Sequence, residues 1–236
     1  MNKYYVFFLL LISNVFALDP SYKFEGILGA PDNVLNNKNH YSSYFIPYNA
    51  VVVEIGAYLG QGTISLAHSY PYGSVYAFEP HPESYIELEK RIGGIPNAQT
   101  INAAVGTVNG EQLLCENGVH STLIKSKKCT KQIKVHCVRL DDWCVNNRID
   151  HIDFLRLDTN GTELDILLSA PKIIETVQVL VLKTYLRQPN HLVPSYNTLK
   201  QTLTTMGFEL LAHWYQEGKR GEAVFIRKHL YDSIFR

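Results

Sequence analysis

The chain has 236 residues, of which 46% are hydrophobic, and its 22 Lys and Arg residues balance its 22 Asp and Glu residues. This length predicts one large domain, or at most two small ones, with a hydrophobic core of ordinary size. Because a surface that binds phosphate usually shows a basic excess, the neutral balance argues against nucleic acid as a partner.

The first 17 residues have the pattern of a secretory signal peptide. One Lys precedes an apolar run from Tyr4 to Ile12, and Val15-Phe16-Ala17 fits a cleavage site with small residues two apart. The run is shorter than the roughly 20 apolar residues that a membrane-spanning helix needs. We expect cleavage after Ala17, an exported or secreted chain, and no stable membrane span after signal removal. An uncleaved anchor or a buried N-terminal helix is the alternative.

Strands and helices alternate after a polar and aromatic extension at residues 18–49, so residues 50–236 are predicted to form one domain. The predicted strands are VVVEI, SVYAFEP, AQTINAAVG, IDFLRLD, TVQVLVLKT, GFELLAHWY and EAVFIRK. The predicted helices are GTISLAHSY, PESYIELEKRI, TELDILLSA and SYNTLKQTLTTM. Alternation requires crossover connections, so the pattern predicts an α/β fold with a mostly parallel sheet, helices on both faces and a C-terminal antiparallel hairpin.

Residues 111–143 fit this alternation less well. EQLLCEN and QIKVHCVRL predict two extra strands around the loop GVHSTLIKSKKCT, which is a candidate substrate lid or a plain surface hairpin. All four cysteines lie in this region or directly after it, without a C-x-x-C pair that would indicate zinc. In an exported chain they predict either disulfides of unassigned pairing or buried thiols: Cys115, Cys129, Cys137 and Cys144.

The stretch VVVEIGAYLGQGT, at residues 51–63, places a carboxylate and three glycines where the most hydrophobic strand ends. Ligands of such sheets bind at the carboxyl ends of the strands. The order Glu-x-Gly-x-x-x-Gly is neither the dinucleotide fingerprint nor a P-loop, so it favours a cofactor with a carboxylate, an amine and a ribose. We expect the backbone amides of residues 56–60 to bind the carboxylate and Glu54 to lie beneath the amine. Glu79, at the end of the second strand, is expected to bind the ribose hydroxyls, or else to start the following helix.

Five segments together resemble the FkbM family of S-adenosylmethionine-dependent methyltransferases: VEIGAYLGQGT, AFEPHPESYIELEK, INAAVG, VRLDDW and IDFLRLDTNGTELDILLSA. The resemblance covers residues 50 to 228 and implies a class I methyltransferase (Rossmann-like) sheet of seven strands, with S-adenosyl-L-methionine as cofactor. It implies a cofactor site in which Glu79 binds the ribose. The other implied cofactor residues are Glu54, Gly56, Ala57, Tyr58, Gly60 and Thr63 at the methionine part, and Asn102, Ala103 and Ala104 near the adenine.

The family usually shows an Asp-x-Glu-Gly-x-Glu run after the fourth strand, whereas this chain reads DTNGTE, with Asn160 in place of the middle Glu. Methyl transfer to oxygen usually needs a base for the hydroxyl proton. Asp158 is the expected catalytic base, with a helix-capping carboxylate as its alternative. His120 and Lys183 are the expected substrate-binding residues, with an exposed loop histidine and a snorkelling lysine as alternatives. No metal site is assigned.

The sequence therefore predicts an S-adenosylmethionine-dependent O-methyltransferase that acts on a hydroxyl of a sugar, glycan or small metabolite. Asn160 and the export signal favour an alternative, in which an exported protein retains the fold and has lost the chemistry. A nicotinamide oxidoreductase is disfavoured by the spacing after Gly56. Export also conflicts with a cofactor that is made inside cells.

Overall fold

The computed structural model describes residues 22–26, 45–124, 129, 131–216 and 220–235. The predicted signal peptide and most of the predicted extension lie outside the described residues, so both stay predictions, as does the domain boundary at residue 50. The described strands are β1 Tyr22–Gly26, β2 Val51–Ile55, β3 Ser74–Phe78, β4 Ala98–Ile101, β5 Ala104–Val105, β6 Gly110–Cys115, β7 Gln132–Val138, β8 Phe154–Leu157, β9 Val179–Tyr185, β10 Phe208–Gln216 and β11 Arg220–Arg227.

The described helices lie between these strands and at the end of the chain. They are α1 Gln61–Ser69, α2 Pro82–Ile92, α3 Leu140–Asn146, α4 Glu163–Ser169, α5 Pro171–Ile174, α6 Tyr196–Thr205 and α7 Lys228–Phe235. The predicted helix at residues 82–92 is confirmed with both ends. None of the helices in the described ranges is long and apolar enough to cross a membrane.

The main sheet has the strand order β1-β10-β11-β9-β8-β2-β3-β4. Strands β9, β8, β2, β3 and β4 are parallel, and β11 is inserted antiparallel between β9 and β10. The predicted mostly parallel sheet with a C-terminal hairpin is therefore confirmed. An eighth strand, β1, comes from the N-terminal extension and pairs antiparallel with β10. Strands β3 and β4 follow β2 on one side, whereas β8 and β9 lie on its other side. The switch in strand order therefore lies between β2 and β8.

Strand β2 is buried on both faces of the sheet, as its continuous apolar run predicts. Val53 and Ile55 pack into the core on one face, where Leu155 and Leu182 of the neighbouring strands join them. Val52 packs into the core on the other face. Because both faces of β2 are packed in the core, the position of its last residue is fixed. The position of the turn that follows is fixed with it.

The predicted third strand, residues 98–106, is wrong as a single element. It divides into β4 in the main sheet and β5, which pairs with β7 in a separate three-stranded sheet of order β5-β7-β6. The chain leaves the main sheet at Asn102, whose Nδ2 donates to the backbone oxygen of Glu79 at 2.9 Å. A periodic pattern of apolar residues does not reveal this change of partner, because both halves remain extended.

The small sheet carries the insertion that was predicted from its poor fit to the alternation. Strands β6 and β7 are antiparallel, and a disulfide between Cys115 and Cys129 closes the loop between them. Cys137 and Cys144 are buried thiols. The sequence predicted either disulfides or buried thiols. The disulfide alternative holds for one pair of cysteines and the thiol alternative for the other pair.

Candidate active site

A cavity of about 660 Å³ opens at the carboxyl ends of the central parallel strands. Its wall includes the ends of β2, β8 and β9, the start of β11, and residues 118–123 of the insertion. This is the edge at which the parallel-sheet rule predicts a ligand. The insertion predicted as a lid thus forms one wall of the cavity.

The cavity contains a majority of the site residues predicted from the sequence. Those that line it are Gly56, Tyr58, Glu79, Ala103, Ala104, His120, Asp158 and Lys183. Five others lie behind or beside the wall: Glu54, Ala57, Gly60, Thr63 and Asn102. Their predicted contact with a cofactor stays a prediction, and their contacts within the protein show what each one does in the fold.

The backbone amides of the turn after β2 are mostly used to close the turn. The amides of Gly56 and Ala57 both donate to the backbone oxygen of Phe78 at 3.0 Å, and that of Gly60 donates to the oxygen of Ala57 at 2.9 Å. The amide of Tyr58 donates to a Glu79 carboxylate oxygen at 2.9 Å. These four amides thus have partners within the protein, because a buried turn must satisfy its own polar groups. Their predicted binding of a cofactor carboxylate stays a prediction.

The glycines of this turn permit close packing. Gly56 has φ +87°, and a Cβ there would collide with the backbone oxygen of Asp158, so only glycine lets β2 and β8 end side by side. Gly60 has φ +86°, and its Cβ would come within 2.7 Å of a methyl group of Leu88 on α2. Gly60 therefore serves the packing of α2 against the turn.

Glu79 joins the turn after β2 to the start of α2. Its Oε2 accepts from the amide of Tyr58 at 2.9 Å and its Oε1 from the amide of His81 at 2.8 Å. His81 is the residue that caps α2, so the helix-start alternative also describes this side chain. Burial raises the pKa of Glu79. Each carboxylate oxygen has acceptor capacity beyond one backbone amide, and Glu79 lines the cavity, so both oxygens can also accept hydrogen bonds from a diol.

Glu54 lies beneath the cavity, where it holds an arginine that sequence reasoning missed. Its Oε2 accepts from Thr63 Oγ1 at 2.5 Å, and its Oε1 accepts from Arg156 Nη1 at 2.9 Å. Burial raises the pKa of Glu54. Arg156 lines the cavity, and its other terminal nitrogen lies 3.7 Å from Glu222 Oε1. The signal was present in FLRL, since a charged residue within a buried strand requires a partner.

A lysine links Asp158 to Asn160. Lys183 Nζ donates to Asp158 Oδ1 and to Asn160 Oδ1, each at 2.7 Å. The Lys183 side chain is 11% exposed, whereas that of Asp158 is 42% exposed and faces the cavity. Lys183 therefore binds partners inside the protein and does not extend into solvent, as the snorkelling alternative would require. Asp158 is the more accessible member of this ion pair.

Asn160 connects this ion pair to the insertion. Its Nδ2 donates to the backbone oxygens of Val119 at 3.2 Å and Ser121 at 3.0 Å. Its φ of +58° is in the left-handed region, which asparagine tolerates better than most residues. A glutamate here would offer no donor to the two carbonyls, so the amide is the feature that joins loop and site.

Glu163, and not Asp158, satisfies the turn before α4. Its Oε1 accepts from the amide of Thr159 and its Oε2 from the amide of Gly161, each at 2.9 Å. Burial raises the pKa of Glu163 to about 7, and the nearby charge of Asp158 acts in the same direction. The capping alternative for Asp158 is therefore wrong, which leaves its carboxylate available to a ligand.

His120 and Arg220 face each other at the mouth of the cavity. Arg220 Nη1 lies 3.3 Å from Nδ1 and 3.5 Å from Nε2 of His120. Both side chains line the cavity, and both residues are exposed. Sequence reasoning missed Arg220 because a basic residue in a hairpin loop is ordinarily a solvated surface residue.

Comparison with known proteins identifies the family. The family model for the methyltransferase FkbM domain matches residues 54–210. Among curated proteins the comparison finds no match. Among solved structures, the FkbM methyltransferase from Methylobacillus flagellatus has a TM-score of 0.51 at 16% identity, covering 79% of this chain and 47% of that chain. The present chain thus spans about half the length of that relative.

Two fibrillarins show the same fold. The protein from Aeropyrum pernix, solved with natively bound S-adenosyl-L-methionine, has a TM-score of 0.51 at 12% identity, covering 77% of this chain and 69% of that chain. The pre-rRNA processing protein from Methanococcus jannaschii has a TM-score of 0.52 at 13% identity, covering 91% and 86%. At these identities the likeness shows a class I methyltransferase fold alone. Since the family model covers more than half of its length, the chain belongs to the FkbM methyltransferase family, and its cofactor is S-adenosylmethionine.

Proposed function

We propose that the protein transfers the methyl group of S-adenosylmethionine to a hydroxyl oxygen of a small-molecule or glycan acceptor. The observation that carries this proposal is the partly exposed Asp158 carboxylate, which Lys183 holds at 2.7 Å at the edge of the cavity. The cavity of about 660 Å³ lies in the size range of small-molecule sites. A carboxylate that is oriented by a cation and open to a ligand suits the removal of a hydroxyl proton.

In this proposal, the carboxylates of Glu79 and Asp158 have different roles. S-adenosylmethionine supplies an activated methyl group when it is bound. Glu79 binds the ribose diol with the acceptor capacity that its two backbone amides leave over. Asp158 accepts the proton of the acceptor hydroxyl while that oxygen gains the methyl group, and Lys183 keeps the carboxylate in place.

Positioning makes the larger contribution to the rate, because a carboxylate is a weak base. Holding the hydroxyl in line with the methyl group can supply several kcal/mol, about 7 to 11 in favourable cases. Apolar side chains from three elements, Ile55, Leu114 and Leu157, line the same cavity. The insertion, held by Asn160, closes the acceptor side.

A second candidate is a protein that binds the cofactor and no longer transfers the methyl group. Asn160 favours it, because this position supplies an amide where the resembled family pattern has a carboxylate. Asp158 speaks against it, because the remaining carboxylate is accessible and oriented. Cofactor binding is common to both candidates, whereas product formation separates them.

The test pairs a cofactor-site variant with a base variant. In calorimetry with S-adenosylhomocysteine, Glu79→Gln should weaken binding at least tenfold, because a hydrogen bond to a charged group contributes about 1.5–3 kcal/mol. Glu83→Gln, on the exposed first turn of α2, is the matched control and should bind as wild type does. Unchanged affinity in Glu79→Gln would remove this residue from the ribose site.

The base variant is Asp158→Asn, assayed with a labelled methyl donor and a panel of sugar and phenolic acceptors. We expect its rate to fall by about 10²- to 10⁴-fold, while its affinity for S-adenosylhomocysteine stays the same. Asp165→Asn, on the exposed side of α4, is the control. A full rate in Asp158→Asn would refute the base role. Tight binding without product from any acceptor in the wild type would support the non-catalytic candidate.

A further inference from the structure

The cationic side chains that line the cavity differ in whether the protein neutralises them. Arg156 has Glu54 at 2.9 Å and Glu222 at 3.7 Å. Lys183 has Asp158 at 2.7 Å. Arg220, by contrast, forms no ion pair with any carboxylate of the described residues, and its guanidinium lies beside the ring of His120. Among the described residues, the guanidinium of Arg220 is therefore the cation of the cavity wall that no carboxylate neutralises.

The pairing of β9 with β11 places this guanidinium relative to the proposed base. Glu222 is opposite Lys183, and Arg220 is opposite Tyr185, so Arg220 lies two residues further towards the ligand edge. Two residues of an antiparallel strand span about 7 Å. The backbone position of Arg220 is thus about 7 Å from that of the residue opposite Lys183, a spacing similar to the size of one sugar ring with its substituents.

The partner across the mouth is held in place by the insertion. The amide of His120 donates to the backbone oxygen of Asn117 at 3.0 Å, and Asn160 binds the carbonyls on either side of His120, those of Val119 and Ser121. A disulfide closes the same loop. The imidazole is therefore attached to a loop with several fixed contacts, and it faces a guanidinium that has hydrogen-bond donors to spare.

We propose that Arg220 and His120 form an anion subsite, and that the methyl acceptor is an acid whose carboxylate or phosphate group binds there. The guanidinium offers two parallel N–H donors, the geometry that carboxylate and phosphate oxygens accept best. The acceptor hydroxyl then lies at Asp158, about 7 Å from the anionic group. This assignment, which rests on the proposed function, gives the acid-binding role to Arg220, because Lys183 is engaged by Asp158.

The experiment measures anion binding directly, so that it needs no knowledge of the natural acceptor. Inorganic phosphate, acetate and glucuronate are titrated into the protein with and without excess S-adenosylhomocysteine, and the His120 imidazole signals are followed by NMR. We expect the anions to shift the His120 signals of wild type in a saturable way. The affinity for the anions should be at least tenfold weaker in Arg220→Gln, since the loss of a hydrogen bond to a charged group changes a binding constant by about 10- to 100-fold. His120→Gln lacks the imidazole signal, so its anion binding is measured by calorimetry beside that of wild type, and it should be weakened less. Arg91→Gln, a change of an exposed arginine on α2, should leave binding unchanged.

The results separate this inference from the function on which it rests. If S-adenosylhomocysteine binds but none of the three anions shifts the His120 signals, the anion subsite is refuted and the methyltransferase proposal stands. If Arg220→Gln binds the anions as tightly as wild type, the assignment to Arg220 is refuted. If the anions bind at Arg220 but S-adenosylhomocysteine does not, the proposed function fails alone. Comparison of phosphate with acetate distinguishes a phosphorylated acceptor from a carboxylic acid.

Discussion

Replacement of Asn160 by aspartate tests whether a single amide couples the insertion to the base. Aspartate has nearly the same shape, tolerates the left-handed backbone conformation, and keeps an oxygen for Lys183. It loses both donors and turns an oxygen towards the carbonyls of Val119 and Ser121. Asn160→Asp should therefore release the loop while Lys183 remains bound at the site.

The size of the effect follows from the two lost hydrogen bonds. Each contributes about 0.5–1.5 kcal/mol, so together they contribute about 1–3 kcal/mol to loop closure. At about 1.4 kcal/mol per factor of ten, the population of open loop should rise about 5- to 150-fold. The disulfide keeps the base of the loop closed, so the change is confined to the residues between its two cysteines.

Hydrogen exchange with mass spectrometry measures this opening. Peptides that cover residues 116–124 should exchange faster in Asn160→Asp by that factor, whereas peptides from β8 should not change. Asn147→Asp is the matched control. The side-chain amide of Asn147, which follows the last residue of α3, also donates to a backbone oxygen, that of Trp143, and this bond lies away from the loop. Unchanged exchange of the loop in Asn160→Asp, or an equal increase in Asn147→Asp, would refute the coupling. Asn160→Glu should open the loop as well, so restoring the family residue should not by itself raise activity.

Three further predictions concern protonation, the N-terminus and the cysteines. The pKa of Glu163 is raised to about 7 in the folded state, against about 4.3 in an unfolded chain, so its contribution to stability is complete below pH about 4 and is lost as the pH rises through 7. In urea unfolding, wild type should lose more stability than Glu163→Gln between pH about 5 and about 8, and parallel curves would contradict this. Protein from a secreting host should begin at Leu18, and an alkylating reagent should label no cysteine before reduction and Cys115 and Cys129 after it. Burial raises the pKa of the other two thiols to about 11 and about 12, so they should react only after unfolding, and labelling without reductant would exclude the disulfide.

The order of the elements, and the sheet edge at which the cavity lies, could be predicted from the sequence. Apolar runs with strand and helix periods are local signals, and alternation leaves few topologies other than a mostly parallel sheet. The ends of its strands could therefore be identified as the site before any contact was known. Glu79, Asp158 and Lys183 were found for this reason, since each directly follows or ends a predicted strand.

The partner of each charged side chain, by contrast, depends on the folded arrangement of distant segments. Glu54 and Arg156 are 102 positions apart in the chain, and His120 and Arg220 are 100 apart, so no local pattern links them. The same holds for Asn160, whose amide binds a loop 39 to 41 positions earlier. A residue type states what a side chain can donate or accept, whereas the folded backbone selects among distant partners. That selection leaves Asp158 accessible, neutralises Arg156 and Lys183, and leaves Arg220 without a carboxylate among the described residues.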